Sequence, residues 1–291
     1  MPVSTFIDID WLGMHLSVPA DWEIAGHSVR AKNGKLMLVD RYVHRMQISW
    51  IRCTRKPDIR RLFDDFESRD RKEHPHCTID RGFSINRWAG YRRMTDSAVL
   101  TRAGLFDAEN ARWIDVAIPW HGVLNEELEH ALLRAFKVSD LNTLPQRWRA
   151  FNVDVESPPC WVLGAAEIRP GDVQLTFNKD HVAFSVHKMG MAGTWYNGDI
   201  IGFLRKQAGP LRGAYNEQGR GPHAGGIFDG RERRFHPGWL WGKRLVCRAH
   251  AWHCPASNAV YHLSTTRCSR QEGLHEEFRV RCCDTTITEK T

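Results

Sequence analysis

The feature that most limits how this chain can fold is a segment that occurs twice. Trp11 to Trp22 reads WLGMHLSVPADW, and Trp148 to Trp161 reads WRAFNVDVESPPCW. Each has a Trp, then three alternating apolar positions (Met14, Leu16 and Val18; Phe151, Val153 and Val155), then proline and a second Trp. Period-two alternation marks a strand with one buried face, and proline ends it because it donates no ladder hydrogen bond. The repeat predicts a tandem duplication, with a first domain over 1–140 and a second, diverged copy over 147–285. A chain of 291 residues, 42% of them apolar, suits two packed cores.

In the first copy, Trp11–Val18 and Trp22–Arg30 read as strands after a short lead-in. Asn33-Gly34 reads as a hairpin turn, since both residues tolerate positive φ, with strands Lys35–Asp40 and Arg45–Arg52 after it. Ile59, Leu62, Phe63 and Phe66 fall at helical spacing behind Asp58 as cap, and the charged stretch Ser68–His76 reads as a loop. Short strands follow around Thr78–Ile85, Gly90–Thr95, Ala98–Leu105 and Arg112–Pro119, then a helix Glu126–Phe136 capped by Asn125. The second copy repeats a strand pair, Val173–Phe177 and Val182–His187, and a helix behind Asp199. Gly171 answers Gly34 and Trp161 answers Trp22. The Gly-rich stretch 209–230 reads as a long loop. Leu245–Cys254, Ala259–Thr265 and Glu276–Cys283 read as closing strands, and Asp284–Thr291 as a frayed tail. The fold class expected is α+β: an antiparallel sheet domain with flanking helices, in tandem.

The run Leu16-Ser17-Val18-Pro19-Ala20-Asp21-Trp22, the hairpin signal at Asn33-Gly34 and the Ile59–Phe66 helix resemble the opening of the Mog1/PsbP-like fold. The closing run Arg112–Phe136, a strand and then an amphipathic helix, looks like that fold as well. The likeness covers the first copy and the first half of the second. Members of this fold differ in role, some binding small GTPases and others serving photosystem II, so no functional residue is carried over.

The formal net charge of +7 is concentrated. Residues 205–248 hold ten basic side chains against three acidic, and residues 41–93 fourteen against seven. The segment Arg231–Arg248, RERRFHPGWLWGKRLVCR, interleaves Arg with aromatics. Arg forks grip carboxylate or phosphate, and Trp stacks on bases or fills a partner's pocket. Arg231, Arg233, Arg234, Trp239, Trp241, Lys243 and Arg244 are therefore the candidate binding residues. The partner expected is an acidic protein of unknown identity, with nucleic acid as the second option. No run of about 18 apolar residues exists to span a membrane, and the N-terminus lacks a signal peptide's basic start and apolar stretch. A cytoplasmic protein with reduced thiols is expected.

The densest chemical cluster is Cys247-Arg248-Ala249-His250-Ala251-Trp252-His253-Cys254, with Cys268, Cys282 and Cys283 downstream. Zinc prefers four Cys or His ligands in a tetrahedron. On a strand, Cys247 and His253 face one way, and His250 and Cys254 the other. One strand thus offers at most two ligands per face, and a site needs Cys282 or Cys283 from a neighbour. Cys247, His250, His253, Cys254 and Cys282 are the candidate zinc ligands. The competing reading, thiols packed in the core, leaves no cofactor and is the one expected. Nucleophile-elbow, phosphate-loop, HExxH and dinucleotide motifs are absent. The leading functional expectation is a non-catalytic binding or assembly module. The alternative is a small-molecule or metal-dependent enzyme with its site between the two domains.

Overall fold

The computed structural model of the protein describes residues 5–219, 223–231, 245–268, 277–283 and 285–290. The chain divides into two compact units, Met1–Leu141 and Asn142–Thr291.

Unit 1 contains, in order, β1 (Phe6–Trp11), β2 (Met14–Pro19), β3 (Glu23–Gly26), β4 (Asn33–Val39), β5 (His44–Arg52), α1 (Ile59–Glu73), β6 (Thr78–Asp80), β7 (Ser84–Ile85), β8 (Trp88–Met94), β9 (Ala98–Asp107), β10 (Arg112–His121), α2 (Glu126–Ala135) and β11 (Lys137–Val138). Its long antiparallel sheet runs β3-β4-β5-β10-β9-β8-β6, with β7 on β8, and its short strands run β11-β2-β1. Asp58 and Asn125 cap the two helices, accepting from the N–H of Arg61 and Leu128 at 3.1 and 3.0 Å. These caps satisfy backbone donors that the first turn leaves without partners.

Unit 2 contains β12 (Gln146–Ala150), β13 (Val153–Ser157), β14 (Val162–Arg169), β15 (Asp172–Lys179), β16 (Val182–Met189), α3 (Ala192–Trp195), α4 (Ile200–Ala208), β17 (Arg212–Glu217), β18 (Gly225–Arg231), β19 (Leu245–Cys254), β20 (Ala259–Cys268), β21 (Glu277–Cys282) and β22 (Thr285–Lys290). Its long sheet runs β14-β15-β16-β20-β19-β18-β17, and its other strands run β12-β13-β21-β22. Both long sheets therefore place their first three strands together and then run backwards from the last. Phe278 of β21 reaches across to the long sheet, stacking on Phe184 with ring centroids 3.9 Å apart and meeting Trp161 edge-on at 4.9 Å.

The α+β expectation is overturned. Strands hold 55% of the described residues and helices 15%, so the chain is predominantly antiparallel sheet. In unit 2 the core forms largely where one sheet covers another, because alternating strands bury a face most cheaply against a second such face. The helices there are only four and nine residues long. Among the described residues no helix is long and apolar enough to cross a membrane.

Local readings shift for identifiable reasons. The expected strand Trp11–Val18 is two strands joined at Leu12-Gly13, where φ is 50° and 71°, as a two-residue type I′ hairpin requires. Phe151-Asn152 makes the matching turn between β12 and β13, with φ of 55° and 59°. Phe151 thus leaves the strand face it was assigned, and Val153 opens the strand after its turn as Met14 does after Leu12-Gly13. Asn33-Gly34 is no turn, for Gly34 lies in β4 opposite Trp50. A Cβ there would stand 2.5 Å from the Ser28 Cβ and 2.6 Å from the Trp50 ring, so close approach demands the glycine. The charged stretch after Phe66 continues α1, because Asp70 accepts from the Tyr91 hydroxyl at 2.6 Å and Glu67 pairs with Arg81 at 2.6 Å. The Gly-rich stretch holds β17 and β18. A Cβ on Gly213 would meet the Asp229 carbonyl oxygen at 2.0 Å. The expected frayed tail contains β22.

The sheet face beneath α1 sets charged groups among aromatic ones, Phe63 meeting Tyr91 and Trp113 while Arg102 lies over Phe66. Asp115 on β10 is buried, its Oδ1 lacks a hydrogen-bond partner, and Arg102 stands 3.6 Å from its other oxygen. Burial pushes the Asp115 carboxyl from 3.8 up to about 6, against the opposing pull of Arg102. The folded unit thus binds this proton more tightly than the unfolded chain. Stability is lost as pH rises from about 4 to about 6, by about 3 kcal/mol once Asp115 is charged. Asp115→Asn is expected to match the parent near pH 4 and to exceed it by about 3 kcal/mol near pH 7 in chemical unfolding. A pH-independent difference would show that Asp115 does not titrate in this window.

Candidate functional site

Three segments distant in sequence meet at one end of β19. His223, two residues before β18, and Cys254, the last residue of β19, are both buried, as is Cys282 at the end of β21. Cys283 is exposed and occupies the turn into β22 with φ of 46°. Successive residues on a regular strand point to opposite faces, and this left-handed turn brings both thiols to one place. The potential ligand atoms of His223, Cys254, Cys282 and Cys283 all lie within 4.8 Å of one another. His223 Nε2 is 3.4 Å from Cys282 Sγ and 3.6 Å from Cys283 Sγ.

The surroundings are built around these sulfurs. Trp252 Nε1 donates to Cys282 Sγ at 3.2 Å, and its ring is stacked on Tyr261 with centroids 5.1 Å apart. Lys188 of β16 donates from Nζ to the Asn152 carbonyl at 2.6 Å and lies 5.8 Å from the Tyr261 ring centroid. Burial lowers the Lys188 pKa, and negative charge on Cys254 or Cys282 would raise it. Burial pushes the Cys282 thiol up to about 12, against the Trp252 N–H. Burial and then His253 hold His223 below the ordinary histidine value, so its imidazole is neutral with a lone pair to give.

Of the ligands read from the sequence, Cys254 and Cys282 belong to this cluster. Cys247 faces the other side of β19, packed in the core with Ala249, Ala251 and Phe228 beneath α4, and burial pushes its thiol up to about 11. His253 packs its ring against Tyr196 at 5.0 Å. His250 is buried in an ion pair with Glu289 of β22. Sequence reasoning did not place His223 in the site. It sits in a Gly-rich stretch with no ligand spacing around it, about 30 residues from Cys254 and 60 from Cys282.

The candidate binding residues Arg233, Arg234, Trp239, Trp241, Lys243 and Arg244 lie outside the described residues. Arg231 is exposed at the end of β18, directly opposite Arg212 on the edge strand β17. Asp229, the next acidic residue on that face, lies opposite Arg248, 3.6 Å away. Arg205 of α4 lies over the Tyr215 ring at 5.5 Å. Along α4, an open pocket of about 650 Å³ is lined by Met191, Trp195, Tyr196 and Phe203 together with Asp172, Asp199 and Lys206. Trp195 is 45% exposed, yet its Nε1 donates to the Gly190 carbonyl at 2.9 Å, which fixes the ring.

No protein-family model, no curated protein and no solved structure matches the chain.

Proposed function

We propose that the protein is a non-catalytic binding module of the cytoplasm that contacts an acidic protein partner through the basic edge of unit 2. The observation that carries this reading is the pair Arg212 and Arg231, facing each other across the edge hairpin. Like charges opposite one another destabilise a strand pair, and an anionic partner relieves that repulsion. The segment 232–244 extends the same stretch in sequence with Arg233, Arg234, Lys243 and Arg244. The neighbouring pocket sets Met191, Trp195, Tyr196 and Phe203 beside Asp172, Asp199 and Lys206, and such apolar anchors with a polar rim suit a protein partner. The strand order common to the two long sheets supports reading the units as copies of one ancestral unit.

The test is fluorescence anisotropy with a labelled polyglutamate peptide at increasing salt, with a single-stranded oligonucleotide run in parallel. Binding to the peptide should weaken steeply with salt, and Arg212→Ser with Arg231→Ser should weaken it about tenfold at low salt. Tighter binding to the oligonucleotide would transfer the partner to nucleic acid. An absence of binding to either probe at low salt would remove the reading.

A further inference from the structure

We propose that His223, Cys254, Cys282 and Cys283 form a structural zinc site that ties the β21–β22 hairpin to the end of β19. The inference goes beyond the binding module and does not depend on it.

Donor chemistry selects the metal. Three thiolates and one imidazole are soft and borderline donors, which suit zinc and exclude magnesium and calcium. Spacing agrees as well. Zinc bonds of about 2.3 Å to sulfur and about 2.0 Å to nitrogen, at tetrahedral angles, place a nitrogen and a sulfur about 3.5 Å apart. His223 Nε2 stands 3.4 and 3.6 Å from its two sulfur neighbours. All four positions are filled by protein, which is the closed arrangement of a structural site and leaves no position for a catalytic water.

The outer shell fits the charge such a site would carry. One zinc with three thiolates and a neutral imidazole has a net charge of −1. The Trp252 N–H already points at the Cys282 sulfur, and donors to a metal-bound thiolate stabilise its charge. Lys188 of β16 lies 5.8 Å from the Tyr261 ring, which stacks on Trp252, so a basic side chain stands one ring layer away from the residue that donates to Cys282.

The mechanical consequence follows from the topology. β21 pairs with β13 on one side and β22 on the other, while β19 sits inside the long sheet. The His250–Glu289 ion pair joins β19 to the far end of β22, and the zinc would join β19 to the turn between β21 and β22. The hairpin would then be held to the long sheet at both ends.

The experiment uses the full chain. Purified native protein should contain one zinc per chain, and after metal removal it should take up one cobalt with the intense visible bands of tetrahedral geometry and a thiolate-to-cobalt charge-transfer band. Alkylation mapped by mass spectrometry should leave Cys254, Cys282 and Cys283 protected in the metal-bound chain and reactive after chelation, with exposed Cys160 reactive throughout. Cys254→Ser and His223→Ala should each weaken cobalt binding at least about tenfold. Cys247→Ser, on the opposite face of the same strand, should bind cobalt as the parent does. Where a ligand variant fails to fold, cobalt titration and thiol protection on the parent chain decide the matter. Native chain that neither carries zinc nor takes up cobalt would overturn the site. So would a Cys254–Cys282 disulfide in native protein, or unchanged binding in Cys254→Ser.

Discussion

Replacing Phe278 by alanine is expected to destabilise unit 2 by about 3 to 5 kcal/mol, the range for deleting a fully buried aromatic ring. Phe278 has no solvent exposure. Its ring stacks on Phe184 at 3.9 Å and meets Trp161 and Phe177 at 4.9 and 5.4 Å. These partners come from β16, β15 and the residue before β14, so the ring is a wedge between the two layers of the unit. The surrounding rings are anchored in separate strands and cannot collapse together, so the void would persist and the cost should fall toward the upper end. Phe278→Leu, which keeps most of the volume, should cost about 1 to 2 kcal/mol. Urea unfolding followed by tryptophan fluorescence measures both. A loss below about 1 kcal/mol for the alanine variant would contradict the sheet-on-sheet core.

Glu129→Gln should have the largest effect in unit 1. The Glu129 side chain on α2 is fully buried, receives Arg92 and the Thr101 hydroxyl, and Trp120 Nε1 donates to that same hydroxyl at 3.0 Å. This network docks α2 onto β8 and β9. Removing one charge of a buried pair leaves the other uncompensated, at a cost of about 3 to 5 kcal/mol. Arg92 keeps a second carboxylate, Glu126, at 3.2 Å, so the lower end, about 3 kcal/mol, is expected. Replacing both partners together, Arg92→Met with Glu129→Leu, should recover most of that loss because no buried charge is stranded. A double variant no more stable than Glu129→Gln would show that the carboxylate acts through something other than its pairing with Arg92.

How much of this was legible follows from how local each feature is. The caps Asp58, Asn125 and Asp199 could be read because a cap acts over three residues of the same chain segment. The opposite facing of Cys247 and Cys254 could be read because side-chain alternation is a property of a single strand. The hairpin turns were misread in both units. The chain reverses where two successive residues adopt left-handed φ, and Leu12 and Phe151 are not residues that advertise it. The Gly-rich strands β17 and β18 were misread because their glycines serve close strand approach, which looks in sequence like a flexible loop. The fold class failed for the same reason, since strands hidden as loops and tail made the helices appear to carry more of the core than they do.

The metal cluster divides along the same line. Cys254 and Cys282 were candidates on residue type and facing alone. His223 joins them only because β18 pairs with β19, and Cys283 only because the turn at φ of 46° brings its thiol beside that of Cys282. The sequence by itself determined the alternating strands, the helix caps, the concentration of positive charge and the presence of soft ligands in the last part of the chain, because each is set by composition or by neighbours a few residues apart. Only the tertiary structure decided which ligands converge, which basic residues oppose one another and that sheet rather than helix covers the core of unit 2. Those outcomes depend on strand pairing between residues tens of positions apart, where no short-range preference distinguishes one partner from another.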